Sequence, residues 1–173
     1  MIREEIVHTF KANKICEVGV LRGKFAKHLL STKPDELHLV DPWKKFDVKI
    51  FKDYREKTQE NWDETYNFVC RKFQNDKEVQ IHRMTSLDAA RKFPDNYFDL
   101  VYIDGNHAYE SVKADINAWT SKVKPGGHIG GHDHCTDSVR TAVQEVFGLN
   151  YFITTEYIDT DKKKPPKSWF VKL

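Results

Sequence analysis

The sequence is poor in cysteine and in long apolar runs. Its 173 residues include three cysteines, which lie far apart and form no CxxC pair. That spacing excludes a disulfide framework and a zinc knuckle, and it is typical of a protein kept in a reducing compartment. No apolar run approaches the roughly 20 residues that a membrane-spanning helix needs, and the opening residues, MIREE, lack the apolar core of a secretory signal. We therefore expect a cytoplasmic protein without membrane contact.

An excess of charge of one sign is also missing. Lysine and arginine total 28 and aspartate and glutamate total 26, which gives a formal net charge of +2. Because positive and negative charges nearly balance, the composition does not predict a nucleic-acid partner. Hydrophobic residues make up 39% of the chain and aromatic residues 13%, enough to build a core and too many for a disordered chain. The length is typical of one domain, so we expect residues 1–173 to form a single unit.

A full nucleotide-binding fingerprint is absent, but a shorter glycine turn stands in residues 14–23, KICEVGVLRG. A short apolar run meets Gly19, Gly23 follows, and apolar residues then recur at helical spacing, which predicts a buried strand, a tight turn and a helix. Leu21 breaks the G-x-G-x-x-G dinucleotide pattern, and Phe25 stands where a Walker A loop has a hydroxyl residue. Such a turn lets a ligand approach the backbone beside the partial positive charge of a helix start. An ordinary strand–turn–helix unit is the alternative.

Two acidic residues lie in or at the end of the first two predicted strands. Glu17 belongs to the buried first strand, where a carboxylate needs a partner because a lone buried charge is costly. Residues 36–41, ELHLVD, predict a second short strand that Pro42 stops. Asp41 follows the glycine turn by roughly 20 residues, the spacing at which an acid in such folds accepts hydrogen bonds from ribose hydroxyls. The alternative for Asp41 is a solvated turn aspartate.

Residues 43–76 differ in texture from the rest of the chain. They are dense in aromatic residues and in charges of both signs, and they contain neither glycine nor proline. This composition predicts helix, in two pieces, with Tyr66, Val69 and Phe73 on one face. The segment is long for a plain connection between two strands. We expect a helical cap insertion beside the active site at about 43–76, and for residues 61–74 a crossover helix that packs on the sheet is the alternative.

The remaining chain alternates between predicted strands and helices. We expect a helix with Ser86 as its N-cap and a turn at residues 125–127. The other predicted elements are strands at 79–82, 98–104, 128–132, 151–155 and 168–173, and helices at 2–12, 110–121 and 137–147. This alternation predicts an α/β fold with a mostly parallel sheet and helices on both faces. Ligands in such sheets bind at the carboxyl ends of the strands. The residues expected at that edge are Gly19, Asp41, Thr85, Asp104 and Asp133.

Two clusters of histidine and aspartate follow the fourth and fifth strands. The first runs from Asp104 to His107, and the second is His132-Asp133-His134. Neighbouring strands would bring the two clusters within reach of each other. Histidine titrates near neutrality and can take a proton from an attacking hydroxyl, while a carboxylate beside it can orient the ring or hold a divalent cation. We expect His107 and Asp133, together with Asp104, to be functional. The histidines expected to be structural are His128 and His134.

Three stretches carry a resemblance to a known family. Residues 103–119 read IDGNHAYESVKADINAW, residues 123–133 read VKPGGHIGGHD, and residues 41–43 read DPW. Together with the glycine turn they resemble class I S-adenosylmethionine (SAM) methyltransferases of the macrocin O-methyltransferase-like group, from residue 14 to about 147. The resemblance implies a Rossmann-like fold with a mostly parallel seven-stranded sheet and an antiparallel last strand. It also implies transfer of a methyl group from SAM to a hydroxyl oxygen of a small molecule, often a sugar.

The resemblance also assigns roles to individual positions. It implies that His107 is the general base, that Asp41 holds the ribose, and that Asp104 lies near the amino acid moiety of SAM or binds a metal. Some members of the group have two adjacent acids where this chain has His132-Asp133 and bind Mg²⁺ there, which would make Asp104 and Asp133 the metal ligands in this chain. The residues implied for the methionine end are Glu17, Gly19 and Gly23. Those implied for the adenine are Thr85 and Ser86.

Other functions fit parts of the pattern. A metal-dependent hydrolase could use Asp104, His107 and the His132-Asp133 pair, although it would not require the glycine turn or Asp41. A SAM-fold protein without catalytic activity, kept as a binding partner, is a second alternative. A NAD dehydrogenase fits least because its glycine spacing fails. The chain is short for the methyltransferase group, so a homo-oligomer could be needed to complete the acceptor pocket.

Overall fold

The computed structural model describes residues 1–45, 58–155 and 167–173. The strands are β1 (Lys14–Val18), β2 (Glu36–Val40), β3 (Val79–His82), β4 (Phe98–Ile103), β5 (Val123–Gly131), β6 (Phe152–Ile153) and β7 (Trp169–Lys172). The helices are α1 (Arg3–Thr9), α2 (Lys24–Ser31), α3 (Gln59–Lys72), α4 (Ser86–Ala90), α5 (Tyr109–Thr120) and α6 (Asp137–Phe147). None of the helices in these ranges is both long and apolar enough to span a membrane.

The strands form one seven-stranded sheet in the order β3-β2-β1-β4-β5-β7-β6. The first five strands pair in parallel, and β7 runs antiparallel to both of its neighbours. This confirms the predicted Rossmann-like α/β fold with antiparallel strands at its end. The direction of strand addition reverses at β1 and β4, which are neighbours. In open α/β sheets a crevice for ligands forms at such a reversal, outside the carboxyl ends of the strands.

Alternating side chains of the central strands fill two cores, one on each face of the sheet. Leu100 and Tyr102 of β4 join the core that α2 and α3 cover, whereas Val101 and Ile103 join the core that α5 and α6 cover. This alternation follows from the two-residue repeat of a strand. Because both faces are covered, the central strands are apolar along nearly their whole length, and a polar residue such as Glu17 stands out there.

Helix α3 packs on the sheet as a crossover helix would. Its N-cap is Thr58, whose hydroxyl accepts a hydrogen bond from the Asn61 N–H. Trp62 and Val69 are buried, and with Phe73 they join the core beneath β1 and β2. Residues 46–57, which make up most of the first half of the predicted helical cap, lie outside the described residues. The cap therefore stays a prediction, while the described part of the segment packs against the sheet.

Among the predicted boundaries, the start of β5 and the N-cap of α4 were wrong. Strand β5 begins at Val123 rather than at His128, because the predicted turn at residues 125–127 lies within the strand as an irregularity. The pairing register there jumps from Phe98 opposite Val123 to Leu100 opposite His128. The N-cap of α4 is Thr85, not Ser86, since the extended Thr85 accepts a hydrogen bond from the Asp88 N–H and Ser86 is the first helical residue.

Candidate active site

A cavity of about 980 Å³ opens at the carboxyl ends of the central strands. Its walls come from the turn after β1, the end of β2, the start of α4, the loop after β4 and one face of α5. The predicted site residues that line it are Glu17, Gly19, Asp41, Thr85, Ser86, Asp104, His107 and Asp133. Gly23 is not part of this lining. The volume is at the upper end of the range usual for small-molecule sites.

Gly19 allows the ends of β1 and β4 to approach each other. Its φ is +90°, and a Cβ at this position would lie 2.2 Å from the carbonyl oxygen of Asp104. Its N–H donates to the Val40 carbonyl at 2.8 Å, which ties the turn to the end of β2. No residue with a side chain fits there without moving the backbone that presents Asp104.

Gly23 supports the fold from outside the cavity. It is the N-cap of α2 with φ +64°, and an added Cβ would come within 2.7 Å of the Phe73 ring. The Lys72 ammonium donates to the carbonyls of Gly23 and of Arg22, the latter at 3.1 Å. In this structure the second glycine of the turn therefore makes room for the end of α3.

Asp41 holds the glycine turn in place. Its Oδ2 accepts hydrogen bonds from the N–H groups of Val20 and Leu21, both at 2.9 Å, and its Oδ1 accepts one from the Trp43 N–H at 2.8 Å. The side chain is buried, so the alternative of a solvated turn aspartate was wrong. The indole N–H of Trp43 donates to the Leu21 carbonyl at 2.9 Å and strengthens the same connection. The contact with a ribose stays a prediction, on a residue that lines the cavity.

Glu17 is a buried acid at the floor of the cavity. It is 1% exposed, and its Oε2 has no hydrogen-bond partner among the described residues, although we expected one. Burial raises the pKa of the Glu17 carboxyl well above its usual value. The negative charges of Asp104 and Asp41 raise this pKa further, and the positive charges of Arg3 and Lys72 lower it by less. Burial thus favours the protonated, neutral form of this carboxyl.

The two predicted clusters meet at the rim of the cavity. Nε2 of His107 lies 3.1 Å from Oδ2 of Asp133 and 3.8 Å from Oδ1 of Asp104. Burial alone would lower the pKa of His107, but the polar contact with Asp104 and the charges of Asp133 and Asp104 outweigh it and raise the pKa. The imidazole therefore keeps a proton to higher pH than an ordinary histidine, and it is already oriented by carboxylates.

A second imidazole and a guanidinium lie beside these carboxylates. Nδ1 of His132 lies 3.1 Å from Oδ2 of Asp133, and Nη1 of Arg3 lies 3.6 Å from Oδ2 of Asp104. Burial would raise the pKa of Asp133, but its bond to His132 and the charges of His132, His107 and Arg3 outweigh it, so the pKa is lowered. Asp133 is therefore an anion at neutral pH, and it can stabilise a positive charge on His107.

The two histidines expected to be structural lie in other contacts. His128 stacks on Phe10 with ring centroids 4.0 Å apart. Nε2 of His134 lies 3.1 Å from the Tyr151 hydroxyl. Neither lines the cavity.

Arg3 and Asp115 also line the cavity but were not predicted from the sequence. Arg3 reaches the cavity from α1, and no pattern in the sequence indicates that contact. Asp115 lies on α5 beside the apolar residues Val112, Ile116 and Trp119, all of which belong to the core. An acid next to the apolar face of a helix was a usable signal, because a buried carboxylate needs a reason.

The comparison with known families decides what kind of domain this is. Residues 16–134 match a family described as a methyltransferase domain. The chain belongs to that methyltransferase family. The matched region runs from β1 to the loop after β5, so it contains the glycine turn, Asp41 and both histidine–aspartate clusters.

The methyltransferase fold recurs in solved structures at low sequence identity. A candidate methyltransferase from Streptococcus mutans, solved with SAH, is 13% identical, with a TM-score of 0.66 over 99% of this chain and 99% of that one. A candidate caffeoyl-CoA O-methyltransferase from Staphylococcus aureus is 12% identical, with a TM-score of 0.64 over 98% of this chain and 80% of that one. At these identities the likeness shows the fold.

Two other similar proteins are considerably longer than the methyltransferase-family chain. Spermidine synthase from Thermotoga maritima is 13% identical, with a TM-score of 0.66 over 99% of this chain and 57% of that one. An uncharacterized protein of Sinorhizobium fredii is 35% identical over 54 residues, which are 31% of this chain and 6% of that protein. The chain thus spans little more than half of the first protein and a small part of the second.

Proposed function

We propose that this chain is a SAM-dependent methyltransferase that acts on a hydroxyl oxygen of a small molecule, with His107 as general base. The observation that carries the proposal is the contact of His107 with Asp133 and Asp104 at the rim of a cavity bounded by the glycine turn. The methyltransferase family supports the methyl-transfer chemistry. The macrocin-like motifs, and the O-methyltransferase among the structural neighbours, support oxygen as the acceptor atom.

The lining of the cavity fits SAM. Bound SAM would supply an electrophilic methyl group on a positively charged sulfonium. The unpartnered Oε2 of Glu17 is a buried acceptor that suits an ammonium group, and Asp104 adds negative charge beside it. Asp41 lines the cavity at the end of β2, and we propose that it accepts from the ribose hydroxyls. Thr85 and Ser86 border the part of the cavity that remains for the adenine.

In its neutral form, which the raised pKa confines to higher pH, His107 can receive the proton of the acceptor hydroxyl on Nδ1, because Nε2 faces Asp133. Asp133 fixes the ring through the 3.1 Å contact with Nε2 and faces it as an anion. Asp104 also faces the ring, so an imidazolium formed by proton uptake is stabilised from two sides. A positioned base of this kind contributes about 10²–10⁴-fold to a reaction rate. Arg3 keeps Asp104 from becoming an uncompensated charge in the cavity wall.

The acceptor enters, we infer, from the side of α3. Lys44 and Trp62, which belong to the segment that the sequence predicts as a helical cap, line the cavity there. An aromatic ring with a cationic neighbour suits a polyhydroxylated small molecule, and the macrocin-like resemblance favours a saccharide.

The experiment is a transfer assay with methyl-labelled SAM and a panel of small hydroxyl compounds that includes saccharides. We expect acceptor-dependent formation of SAH and of one labelled product by the wild type. The His107→Ala variant should bind SAH like the wild type and form much less product. SAH binding without transfer to any acceptor would favour the non-catalytic alternative, and equal turnover by His107→Ala would discard the base.

A second candidate is a metal-assisted reaction, either methyl transfer or hydrolysis. One ligand atom each from Asp104, His107 and Asp133 lies within 4.8 Å of the other two. Carboxylates suit Mg²⁺, while the imidazole shifts the preference of such a site toward transition metals. A metal on His107 would remove it as a base, and the Arg3 guanidinium beside Asp104 opposes a further cation. Thermal shifts with Mg²⁺, Mn²⁺ and Zn²⁺, each with and without SAH, separate the two: stabilisation by a metal alone would favour the second candidate.

A further inference from the structure

Where α5 meets the start of α4, the cavity holds a further carboxylate that the proposed function has not used. Asp115 of α5 lines the cavity together with Ser86 and Leu87 of α4, and it is 7% exposed. Val112, Ile116 and Trp119 of the same helix are in the core, so the Asp115 carboxyl lies between the apolar core and the cavity. An acid so placed costs free energy unless hydrogen bonds satisfy it.

A chain of hydrogen bonds orients this carboxyl. The indole N–H of Trp119 donates to the Ser86 hydroxyl at 2.8 Å, and the Ser86 hydroxyl is in turn hydrogen-bonded to Asp115. The Ser86 hydroxyl is thus used in both directions. Thr85 is occupied as well, because its hydroxyl donates to the Asp88 carboxylate at 2.7 Å and accepts from the Asp88 N–H. Neither hydroxyl has a free proton to donate to a ligand.

We propose that Asp115 accepts a hydrogen bond from the 6-amino group of the adenine of SAM and so selects adenine over a 6-oxopurine. The inference rests on the proposed function, which places the methionine end of SAM at Glu17 and Asp104 and the ribose at Asp41. The base then lies at the remaining end, between Leu87 and α5, where Asp115 is a buried acceptor. When ionised, a carboxylate can only accept hydrogen bonds, so it matches an amino group and repels a carbonyl oxygen.

The first test compares two ligands on the wild type by calorimetry at pH 8. The ligands are SAH and S-inosylhomocysteine, which differ in the 6-amino and 6-oxo groups of the base. Burial raises the pKa of Asp115 to about 6, opposed by the Ser86 hydrogen bond, so the group is ionised at pH 8. We expect SAH to bind more tightly by roughly ten- to a hundredfold, the cost of facing a buried acceptor with a second acceptor.

The second test repeats the comparison on Asp115→Asn. An amide can turn either its oxygen or its NH₂ toward the base, so the preference for SAH should fall to within about threefold. Glu110→Gln is the matched control, since Glu110 lies five residues earlier on α5, lines the same cavity and is exposed. It removes the same charge and should keep the wild-type preference.

Each outcome decides something. Equal affinity of the wild type for both ligands would overturn the inference. This result needs no variant, so the inference can be refuted even if Asp115→Asn does not fold. An undiminished preference in Asp115→Asn, or an equal loss in Glu110→Gln, would also overturn it. Failure of the wild type to bind SAH at all would overturn the proposed function together with this inference, whereas SAH binding without discrimination overturns the inference alone.

Discussion

Nε2 of His107 lies 3.1 Å from Oδ2 of Asp133, which joins the loop after β4 to the loop after β5. The contact exists because β4 and β5 are parallel neighbours, so that both loops leave the sheet at the same edge. Two short motifs separated by a whole helix thereby become one site. The chemistry that we propose depends on this contact.

The first prediction concerns the imidazole of His107. His107→Ala should lower turnover by about 10²–10⁴-fold, because the proton of the hydroxyl then has no positioned acceptor. The affinity for SAH should change by less than about threefold, since the ring lies at the rim of the cavity on the acceptor side. Distant sites influence each other by only a few tenths of a kcal/mol. His128→Ala is the control, because His128 stacks on Phe10 outside the cavity. Similar losses in both variants would mean that the effect is structural.

The second prediction concerns the backbone at Gly19. Gly19→Ala should destabilise the fold by more than about 3 kcal/mol, since its Cβ would overlap the Asp104 carbonyl and its φ is +90°. Gly126→Ala separates the two causes, because Gly126 has φ +83° but no atom within 4 Å of an added Cβ. That variant should lose only the roughly 1–2 kcal/mol of the left-handed conformation. Urea unfolding measures both, and equal losses would contradict the close approach.

The third prediction concerns Asp41 as the residue that holds the glycine turn. Asp41→Asn replaces an acceptor of three backbone N–H groups, so we expect a loss of about 1–3 kcal/mol in unfolding free energy. Weaker SAH binding should accompany it, because the turn and the ribose contact are disturbed together. Asp35→Asn is the control, as Asp35 is exposed before β2. A variant with lower stability but wild-type SAH affinity would remove Asp41 from the ribose site.

The fourth prediction concerns how the stability of the fold depends on pH through a pair of histidines, His38 of β2 and His82 of β3. Nδ1 of His38 lies 2.9 Å from Nε2 of His82, and Nε2 of His38 lies 3.1 Å from Glu36. Burial lowers the pKa of His38 despite the opposing bond and charge of Glu36, and Lys14 lowers it further. Burial also lowers the pKa of His82, aided by His38 and Lys92. Full protonation of both rings would set two N–H groups against each other.

The sign of the pH effect follows from these shifts. Below the ordinary histidine pKa of about 6.5 the unfolded chain binds protons that the folded chain resists, so stability should fall as the pH drops from 7.5 to 5.5. His38→Asn should flatten this fall in urea unfolding, whereas His28→Asn, on an exposed part of α2, should leave it unchanged. A slope that is the same in His38→Asn and wild type would contradict the prediction.

Much of the architecture was predictable because local patterns decide it. Alternating apolar strands and amphipathic helices fix the element order, and the helix at 137–147 agrees residue for residue with α6. Parallel neighbouring strands end at the same edge of the sheet, so the element order alone predicts that His107, Asp104 and Asp133 come together. The start of β5 was not predictable, since proline and glycine at 125–127 indicate a turn even where sheet pairing continues on both sides of an irregularity.

Parts of the site were beyond sequence reasoning because they depend on packing between distant elements. Arg3 reaches Asp104 only because α1 lies beside α2 and β4. Gly23 has the spacing of a ligand-binding glycine, but the arrival of Phe73 from α3 gives it a packing contact instead. Glu17 keeps an unpartnered oxygen where we expected a partner, and only burial explains how it is tolerated.

The measurement that tests the central claim most directly is a crystal structure of the wild type with SAH at millimolar concentration. The account predicts SAH inside the cavity, with its homocysteine end at Glu17 and Asp104, its ribose at Asp41 and its base beside Ser86 and Asp115. SAH bound at another surface while this cavity stays without it would contradict the account.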